Sequence, residues 1–433
     1  MLYHSTNNNA PRVGLKDAIL RSLPPDNGLY MPDALPVPDH AFWKGWRELS
    51  FREIGHAVAE AFFGEDVPVS ALREIVDGAL TFDAPLVTLA PGDHLLELFH
   101  GPTLAFKDFG VRFMARLMGW LTCGEDRELT VLVATSGDTG GAVASAFHRI
   151  SGTRVIILYP QGKVSGLQEK QLTALGGNVT ALEIDGSFDD CQMLVKSAFL
   201  DRELAATLNL TSANSINLAR LVPQIFYYIY AASQLPDGVS PVFVVPCGNF
   251  GNLTAGLLAM RLGLPVGHFV AATNRNDVVP EFLRTGIYTP RPSVATISNA
   301  MDVGAPSNFV RMRELFGASW EGMKSSITGM AFSDAQTRAS IREMKARHNY
   351  AIDPHGAVGW LAARQWRSAH PYDATVTLET AHPAKFLDVM DAELGKGSVE
   401  IPERLAVLAT REKVAVSLPA DPAVFRDWLL ELV

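Results

Sequence analysis

One lysine lies in a run of apolar residues, an arrangement that can make an amine reactive. In FHGPTLAFKDFG, residues 99–110, Lys107 lies between Phe106 and Phe109. An ammonium group in apolar surroundings loses hydration, so its pKa falls and the neutral amine can form a Schiff base with a carbonyl compound. A surface lysine that pairs with Asp108 would give the same local sequence. The segment by itself leaves both interpretations open.

A glycine-bearing loop follows an apolar run near the middle of the chain. In CGNFGN, residues 247–252, Gly248 and Gly251 allow positive φ, so successive backbone N–H groups can face one concave nest. The segment LTAGLLAMRL follows and predicts a helix, whose N-terminus adds partial positive charge. The loop therefore predicts a phosphate cradle built from main chain. A tight turn that holds no ligand is the alternative.

A second polar loop, ATSGDTGG, occupies residues 134–141. Ser136, Asp138 and Thr139 bring hydroxyl groups and backbone donors to the start of a predicted helix. This arrangement suits a carboxylate or a phosphate. Simple N-capping by Asp138 or Thr139 would also explain these residues.

A cationic group of residues is a candidate for a second phosphate site. Lys163 and Ser165 lie at the start of a predicted helix, and SANSINLAR places Asn214, Asn217 and Arg220 close together. If a helix begins near Asn214, then Asn217 and Arg220 share a face because they are three residues apart. Their charge and guanidinium fork can bind a phosphate. Helix capping plus surface charge is the alternative.

Polar residues also follow the apolar strand TVTL. In ETAHPAKF, residues 379–386, Thr380 lies where a sheet would open onto its ligand edge and can bond to a ring nitrogen. His382 and Lys385 lie nearby, but Pro383 indicates that a helix simply begins there.

The segment DPHGAVG, residues 353–359, also indicates a helix start. Asp353 and His355 have too few companions for a metal site, and the three cysteines are far apart and form no CxxC pair. The sequence therefore predicts no metal.

Short apolar runs alternate with helical segments and must position these loops. The runs are LTVLVA (129–134), VIILY (155–159), PVFVVP (241–246) and HFVAAT (268–273). Such runs are typical of parallel strands buried on both faces, so we expect an α/β fold. Because ligands bind beyond the carboxyl ends of parallel strands, one ligand can contact all three of the loops SGDTGG, GKVS and CGNFGN.

Composition narrows the class of protein. The 433 residues are 48% hydrophobic and 19% charged, which is typical of a globular protein, and the net charge of −9 argues against a nucleic-acid partner. The N-terminus has no basic stretch before an apolar run, and the most apolar stretch, 218–235, is interrupted by Arg220 and Pro223. We therefore expect no secretion signal, no membrane span and a reduced, cytoplasmic setting.

The motifs as a set resemble one family. FHGPTLAFKDFG, ATSGDTG, GKVSGLQEKQ, ANSINLAR, CGNFGNLTAGLLA, DPHGAVG and TAHPAKF resemble, in this order, the motifs of the threonine synthases, pyridoxal 5′-phosphate (PLP) enzymes of fold type II. The resemblance implies two open, twisted, mostly parallel sheets flanked by helices, plus the extra N-terminal domain of one subgroup. The implied bounds are an N-terminal domain (1–90), a large PLP-binding domain (91–112 and 222–433) and a small domain (113–221).

The resemblance also implies residue roles. Lys107 matches the lysine that forms the Schiff base with PLP, and Thr380 matches the hydroxyl partner of the pyridine nitrogen. The matched residues of the cofactor phosphate loop are Gly248, Asn249, Phe250, Gly251 and Asn252. Those that face the substrate carboxylate are Ser136, Asp138 and Thr139. Those that face the substrate phosphate are Lys163, Ser165, Asn214, Asn217 and Arg220.

The implied reaction converts O-phospho-L-homoserine and water to L-threonine and phosphate, the last step of threonine biosynthesis. Lys107 is expected to act as the general base, in a monomer or homodimer without membrane or nucleic-acid partners. A related phospho-lyase that releases 2-oxobutanoate would use the same motifs. A non-catalytic phosphate- or nucleotide-binding protein could use GNFGN, but it would leave the lysine segment and TAHPAKF without a role.

Overall fold

Within the described part of the chain, the strands form three sheets. The computed structural model describes residues 1–36, 38 and 40–432. In chain order the strands are β1 (Tyr3–Ser5), β2 (Tyr30–Pro32), β3 (Leu86–Ala90), β4 (Asp93–Glu97), β5 (Leu129–Ala134), β6 (Thr153–Pro160), β7 (Val179–Asp185), β8 (Asn209–Ser212), β9 (Val242–Pro246), β10 (His268–Thr273), β11 (Ile327–Ala331), β12 (Thr375–Glu379) and β13 (Val416–Pro419).

Helices cover both faces of the two larger sheets. In chain order they are α1 (Leu15–Arg21), α2 (His40–Gly45), α3 (Phe51–Phe63), α4 (Val69–Ala79), α5 (Lys107–Leu121), α6 (Asp138–Phe147), α7 (Gly166–Thr173), α8 (Phe188–Leu200), α9 (Arg202–Thr207), α10 (Leu218–Leu221), α11 (Gln224–Ser233), α12 (Gly251–Arg261), α13 (Val278–Thr285), α14 (Phe309–Leu315), α15 (Trp320–Ser326), α16 (Asp334–His348), α17 (Pro354–Ala369), α18 (Leu387–Leu394), α19 (Glu403–Ala409) and α20 (Pro422–Leu430). Short 3₁₀ helices lie at Trp46–Glu48, Asn299–Met301 and Pro383–Phe386. Among the described residues, no helix has the length and apolar character needed to cross a bilayer.

The two larger sheets are almost entirely parallel. One has six strands in the order β11-β10-β9-β12-β4-β3, in which β3 and β4 alone are antiparallel neighbours. The other has five parallel strands in the order β13-β7-β6-β5-β8. Strands β5 and β9 are buried at every position, because helices cover both faces. The predicted α/β architecture is confirmed, and the four apolar runs coincide with β5, β6, β9 and β10.

The N-terminal segment carries a small sheet of its own. Strands β1 and β2 pair antiparallel, and α3 follows with a capping box between Ser50 and Glu53. Phe51, Ile54 and Val58 lie buried on one face of α3, a spacing typical of an amphipathic helix. Helix α3 packs on α4 and α11, which joins this segment to the rest of the core.

Two details differ from the predictions. The helix expected near Asn214 begins at Leu218, because Asn217 caps it by accepting a hydrogen bond from the Ala219 N–H. The C-terminal strand β13 pairs with β7 in the five-stranded sheet, although the expected bounds assign 222–433 to the domain of the other sheet. The domain bounds stay a prediction, and this pairing favours moving the tail to the small domain.

Candidate functional site

A pocket lies at the carboxyl ends of strands from both larger sheets. Residues that follow β5, β8, β9 and β12 line it, together with Lys107 and residues 299–303. The loops ATSGDTGG and CGNFGN both contribute, as does Thr380. Two of the three loops predicted to meet one ligand therefore lie together, whereas GKVS (162–165) contributes no residue to this pocket.

Backbone hydrogen bonds hold the Lys107 segment against the Thr380 segment. The Phe106 N–H donates to the Thr380 carbonyl oxygen at 2.9 Å, and the His382 N–H donates to the Leu104 carbonyl oxygen at 3.0 Å. Leu104 has a left-handed φ of 60°, which turns the chain into α5, where Lys107 is the first residue. The two segments therefore form adjacent parts of the pocket wall.

The Lys107 side chain is largely buried and faces Asp138. It is 13% exposed, and its Nζ lies 3.7 Å from Oδ2 of Asp138 and 4.8 Å from the Phe106 ring centre. Asp108 is buried elsewhere, where it accepts hydrogen bonds from the N–H and hydroxyl groups of Thr103. The alternative of a surface ion pair between Lys107 and Asp108 is therefore excluded.

Burial is the main influence on the Lys107 amine. Desolvation lowers the pKa of Lys107, the Asp138 carboxylate opposes this, and Arg220 and Lys385 lower it further. Burial also disfavours the Asp138 charge, but Lys385 and Lys107 outweigh this effect and hold the pKa of Asp138 well below its usual value. The Asp138 carboxylate therefore stays ionised, and the Lys107 amine gives up its proton more easily than the amine of an exposed lysine.

The loop 247–252 has the shape of an anion cradle. Helix α12 begins after Phe250, which has a left-handed φ of 60°, and no side chain caps the helix. A Cβ at Gly248 would lie 2.6 Å from the Ala300 carbonyl oxygen, so the main chain approaches too closely for a larger residue. The helix N-terminus is therefore open to an anion from the pocket.

Two buried donors at the pocket lack hydrogen-bond partners among the described residues, Nδ2 of Asn252 and Nε of Arg220. Oδ1 of Asn252 accepts from the hydroxyls of Tyr227 and Tyr228 at 2.7 and 2.8 Å, which fixes the amide. Burial lowers the pKa of Arg220 to about 10, so its guanidinium stays charged at neutral pH. Unpartnered buried donors are costly, and an anionic ligand would satisfy them.

The loop 134–141 has two kinds of polar group. Ser136 and Thr139 are half-buried and line the pocket. The Asp138 carboxylate also lines the pocket, but it accepts from Nε2 of Gln168 at 2.8 Å and pairs with Lys385. Ser136 and Thr139 are therefore the side chains of this loop best able to meet a substrate anion.

Only some of the residues predicted to bind a second phosphate come together at the pocket. Asn214 and Arg220 line the pocket, whereas the exposed Lys163 does not. Ser165 caps α7 and donates to the Lys385 carbonyl oxygen, and Asn217 is buried against the N-terminal segment through the Ile19 carbonyl oxygen. The role of Lys163, Ser165 and Asn217 in substrate binding stays a prediction.

Sequence reasoning missed a buried Asp–His pair at the pocket. Asp353 caps α17, as expected of a helix start, and its Oδ1 also lies 2.5 Å from Nδ1 of His355. Nε2 of His355 accepts from the Ala300 N–H at 3.2 Å, so the pair holds the main chain next to Gly248. A capping Asp followed by a His two residues later was the available signal.

Three family models match the chain. One described as "Pyridoxal-phosphate dependent enzyme" matches residues 94–379. Those described as "Threonine synthase N terminus" and "Threonine synthase, C-terminal" match residues 2–80 and 356–428.

This chain resembles known threonine synthases over its full length, both in sequence and in structure. The chain is 44% identical over 431 residues to threonine synthase of Escherichia coli (strain K12), with 99% of each chain covered. The crystal structure of threonine synthase from Escherichia coli matches with a TM-score of 0.94 at 43% identity and covers 100% of both chains. PLP-bound threonine synthase from Brucella melitensis matches with a TM-score of 0.91 at 36% identity, covering 100% of this chain and 99% of that one.

Proposed function

We propose that this chain, which belongs to the threonine synthase family of PLP-dependent enzymes, converts O-phospho-L-homoserine and water to L-threonine and phosphate. The observation that carries the proposal is the likeness to threonine synthases over the whole chain, including the N-terminal and C-terminal segments. If the likeness were limited to the central PLP-binding part, it would not indicate which PLP-dependent reaction the chain catalyses. The partner is a small-molecule substrate; a monomeric or homodimeric state and a cytoplasmic location stay predictions.

The residues present fit the PLP cofactor. Its phosphate fits the uncapped N-terminus of α12, where Gly248 has no room for a larger side chain. The unpartnered Nδ2 of Asn252 can donate a hydrogen bond to the same phosphate. Lys107 supplies the amine that would hold its aldehyde carbon. Thr380 supplies a neutral hydroxyl for its ring nitrogen. When bound, PLP withdraws electrons from the substrate carbon that carries the amino group.

Lys107 is the group best placed to move protons. Its lowered pKa makes a neutral Nζ accessible, and a neutral amine can take the proton from the α-carbon of the substrate. The hydrogen bonds between the Lys107 and Thr380 segments keep this amine at a fixed place in the pocket wall. General-base catalysis requires such positioning.

The reaction needs a second anion site, because substrate and cofactor each carry a phosphate. Arg220 has a charged guanidinium with an unpartnered Nε, and Asn214 lines the same pocket. We assign the substrate phosphate to this pair and the substrate carboxylate to Ser136 and Thr139. A charged, buried guanidinium binds a phosphate by charge-assisted hydrogen bonds.

Product analysis tests the reaction. Purified holoenzyme with O-phospho-L-homoserine should release threonine and phosphate in equal amounts, and in H₂¹⁸O the new hydroxyl group of threonine should carry the label. Release of 2-oxobutanoate with phosphate, without threonine, would identify the phospho-lyase instead. A protein that binds phosphate without turnover would refute both.

Replacing Gly248 with alanine tests the cradle. The added methyl group meets the Ala300 carbonyl oxygen, and such overpacking costs about 1–3 kcal/mol, so the Kd for PLP should rise about tenfold or more. Gly45→Ala is the matched control, because Gly45 has a φ of −115° and no atom within 4 Å of the added Cβ. Fluorescence titration of the cofactor-stripped proteins measures the difference, and equal Kd values for both variants would contradict the assignment.

A further inference from the structure

Lys385 is a fully buried cation that the reaction scheme leaves without a role. Its side chain is 0% exposed, and its Nζ lies 2.7 Å from Oδ1 of Asp138. The same Nζ donates to the Thr103 carbonyl oxygen at 2.8 Å. Lys385 is absent from the pocket lining, so it contacts the site only through other residues.

The Asp138 carboxylate lies between the amines of Lys385 and Lys107. Oδ1 of Asp138 binds Lys385, whereas Oδ2 of Asp138 lies 3.7 Å from Nζ of Lys107. One carboxylate therefore faces two lysines. The shorter contact belongs to Lys385, which is also the more buried of the two amines.

We propose that Lys385 is a positioning residue that balances the charge of Asp138, so that the Lys107 amine shares this carboxylate with a second cation and releases its proton readily. This inference rests on the proposed function, in which Lys107 must hold a neutral amine. In this arrangement the Asp138 carboxylate also fixes the Lys385 and Lys107 side chains relative to each other. Lys385 acts through Asp138 and is not itself a catalytic residue.

The surrounding charges support the inference. The charged groups with the largest effects on the pKa of Lys107 are Asp138, which raises it, and Arg220 and Lys385, which lower it. Lys385 also faces the buried Asp108, which bonds to Thr103. With Lys385 neutral, Asp138 would stabilise the ammonium form of Lys107, because an opposite charge within about 4–6 Å raises the pKa of an amine.

The main chain of Lys385 adds a second link. Its carbonyl oxygen accepts from the Ser165 hydroxyl at 3.1 Å, and Ser165 caps α7. Helix α7 carries Gln168, whose Nε2 donates to the same Oδ1 of Asp138 at 2.8 Å. Lys385 and α7 therefore hold Asp138 from two sides, and a change of side chain at 385 leaves this backbone link in place.

A charge-balance series tests the proposal. Lys385→Met removes the cation and should raise the titration midpoint of the Lys107 amine by about 1–3 pH units. The double variant Lys385→Met/Asp138→Asn removes both charges and should lose this upward shift. Lys396→Met, which removes an exposed lysine beyond α18, is the control and should titrate as wild type.

Two readouts follow the shift. The first is the pH dependence of the visible absorbance of the holoenzyme, which would report the protonation of the Lys107 nitrogen in its Schiff base with PLP rather than that of the free amine. The second uses the cofactor-stripped full-length chain, in which acetic anhydride labels Lys107 at a rate that follows its neutral fraction and mass spectrometry locates the label. The labelling does not require a working enzyme, so it tests Lys385 even if PLP is found on another residue.

Either of two results would overturn the proposal: an unchanged midpoint in Lys385→Met, or an upward shift that persists in the double variant. If Lys385 has only a structural role, Lys385→Met and the double variant should both show the raised midpoint or should both fail to fold. Should Lys385→Met alone fail to fold because Asp138 is left unpaired, the double variant still has to titrate no higher than wild type, and a raised midpoint there refutes the inference.

Discussion

Replacing Lys107 with alanine is expected to abolish the absorbance band of the Schiff base with PLP and to lower turnover by about 10⁴-fold, the upper range for a positioned proton-transfer group. The reason is that Lys107 supplies the amine whose buried position favours its neutral form. Steady-state assays for phosphate and threonine, with absorbance spectra of the same preparations, measure both effects. Added methylamine should restore part of the lost activity, since it replaces the missing amine.

The control for this experiment is Lys396→Ala, which changes an exposed lysine and should leave both the spectrum and the rate unchanged. Thermal unfolding of Lys107→Ala should show that the variant is folded. Turnover near the wild-type rate in a folded Lys107→Ala protein would end the assignment of this residue.

Replacing Arg220 with alanine should separate the two phosphate sites. The change removes a buried guanidinium from the pocket, and losing one partner of a buried charged pair costs about 2–3 kcal/mol, or roughly 30- to 150-fold in kcat/KM. The loss should appear mainly as a higher KM for O-phospho-L-homoserine. PLP should remain bound, because its phosphate is assigned to the α12 N-terminus.

Arg347→Ala is the matched control, because Arg347 is exposed on α16. Arg220 also donates to the Ala213 carbonyl oxygen at 2.7 Å, so thermal unfolding of the variant must be measured alongside its kinetics. Loss of PLP with an unchanged KM in the reconstituted enzyme would mean that Arg220 serves the cofactor phosphate instead.

The parts of the site that could be predicted lie in short segments next to apolar strands. Thr380 directly follows β12 and CGNFGN directly follows β9. Because both strands are parallel, their carboxyl ends had to meet at one edge. The apolar neighbours of Lys107 allowed a reactive amine but also a surface ion pair with Asp108, and the choice between the two required the fold.

The parts that could not be predicted depend on contacts between distant segments. Lys385 lies two residues after Pro383 in a sequence typical of a helix start, and nothing local indicates that its amine reaches Asp138. Ser165 caps α7 as its place at a helix start suggests, but nothing local indicates that the Gln168 side chain binds Asp138. The pairing of β13 with β7 likewise depends on where the C-terminal tail returns, which no local pattern specifies.

Borohydride reduction of the holoenzyme, followed by peptide mass mapping, tests the central claim most directly. The account predicts that a reduced pyridoxyl group is found on the peptide that contains Lys107, and that reduction ends turnover. A pyridoxyl group on another lysine, or none on any peptide of an active enzyme, would contradict it.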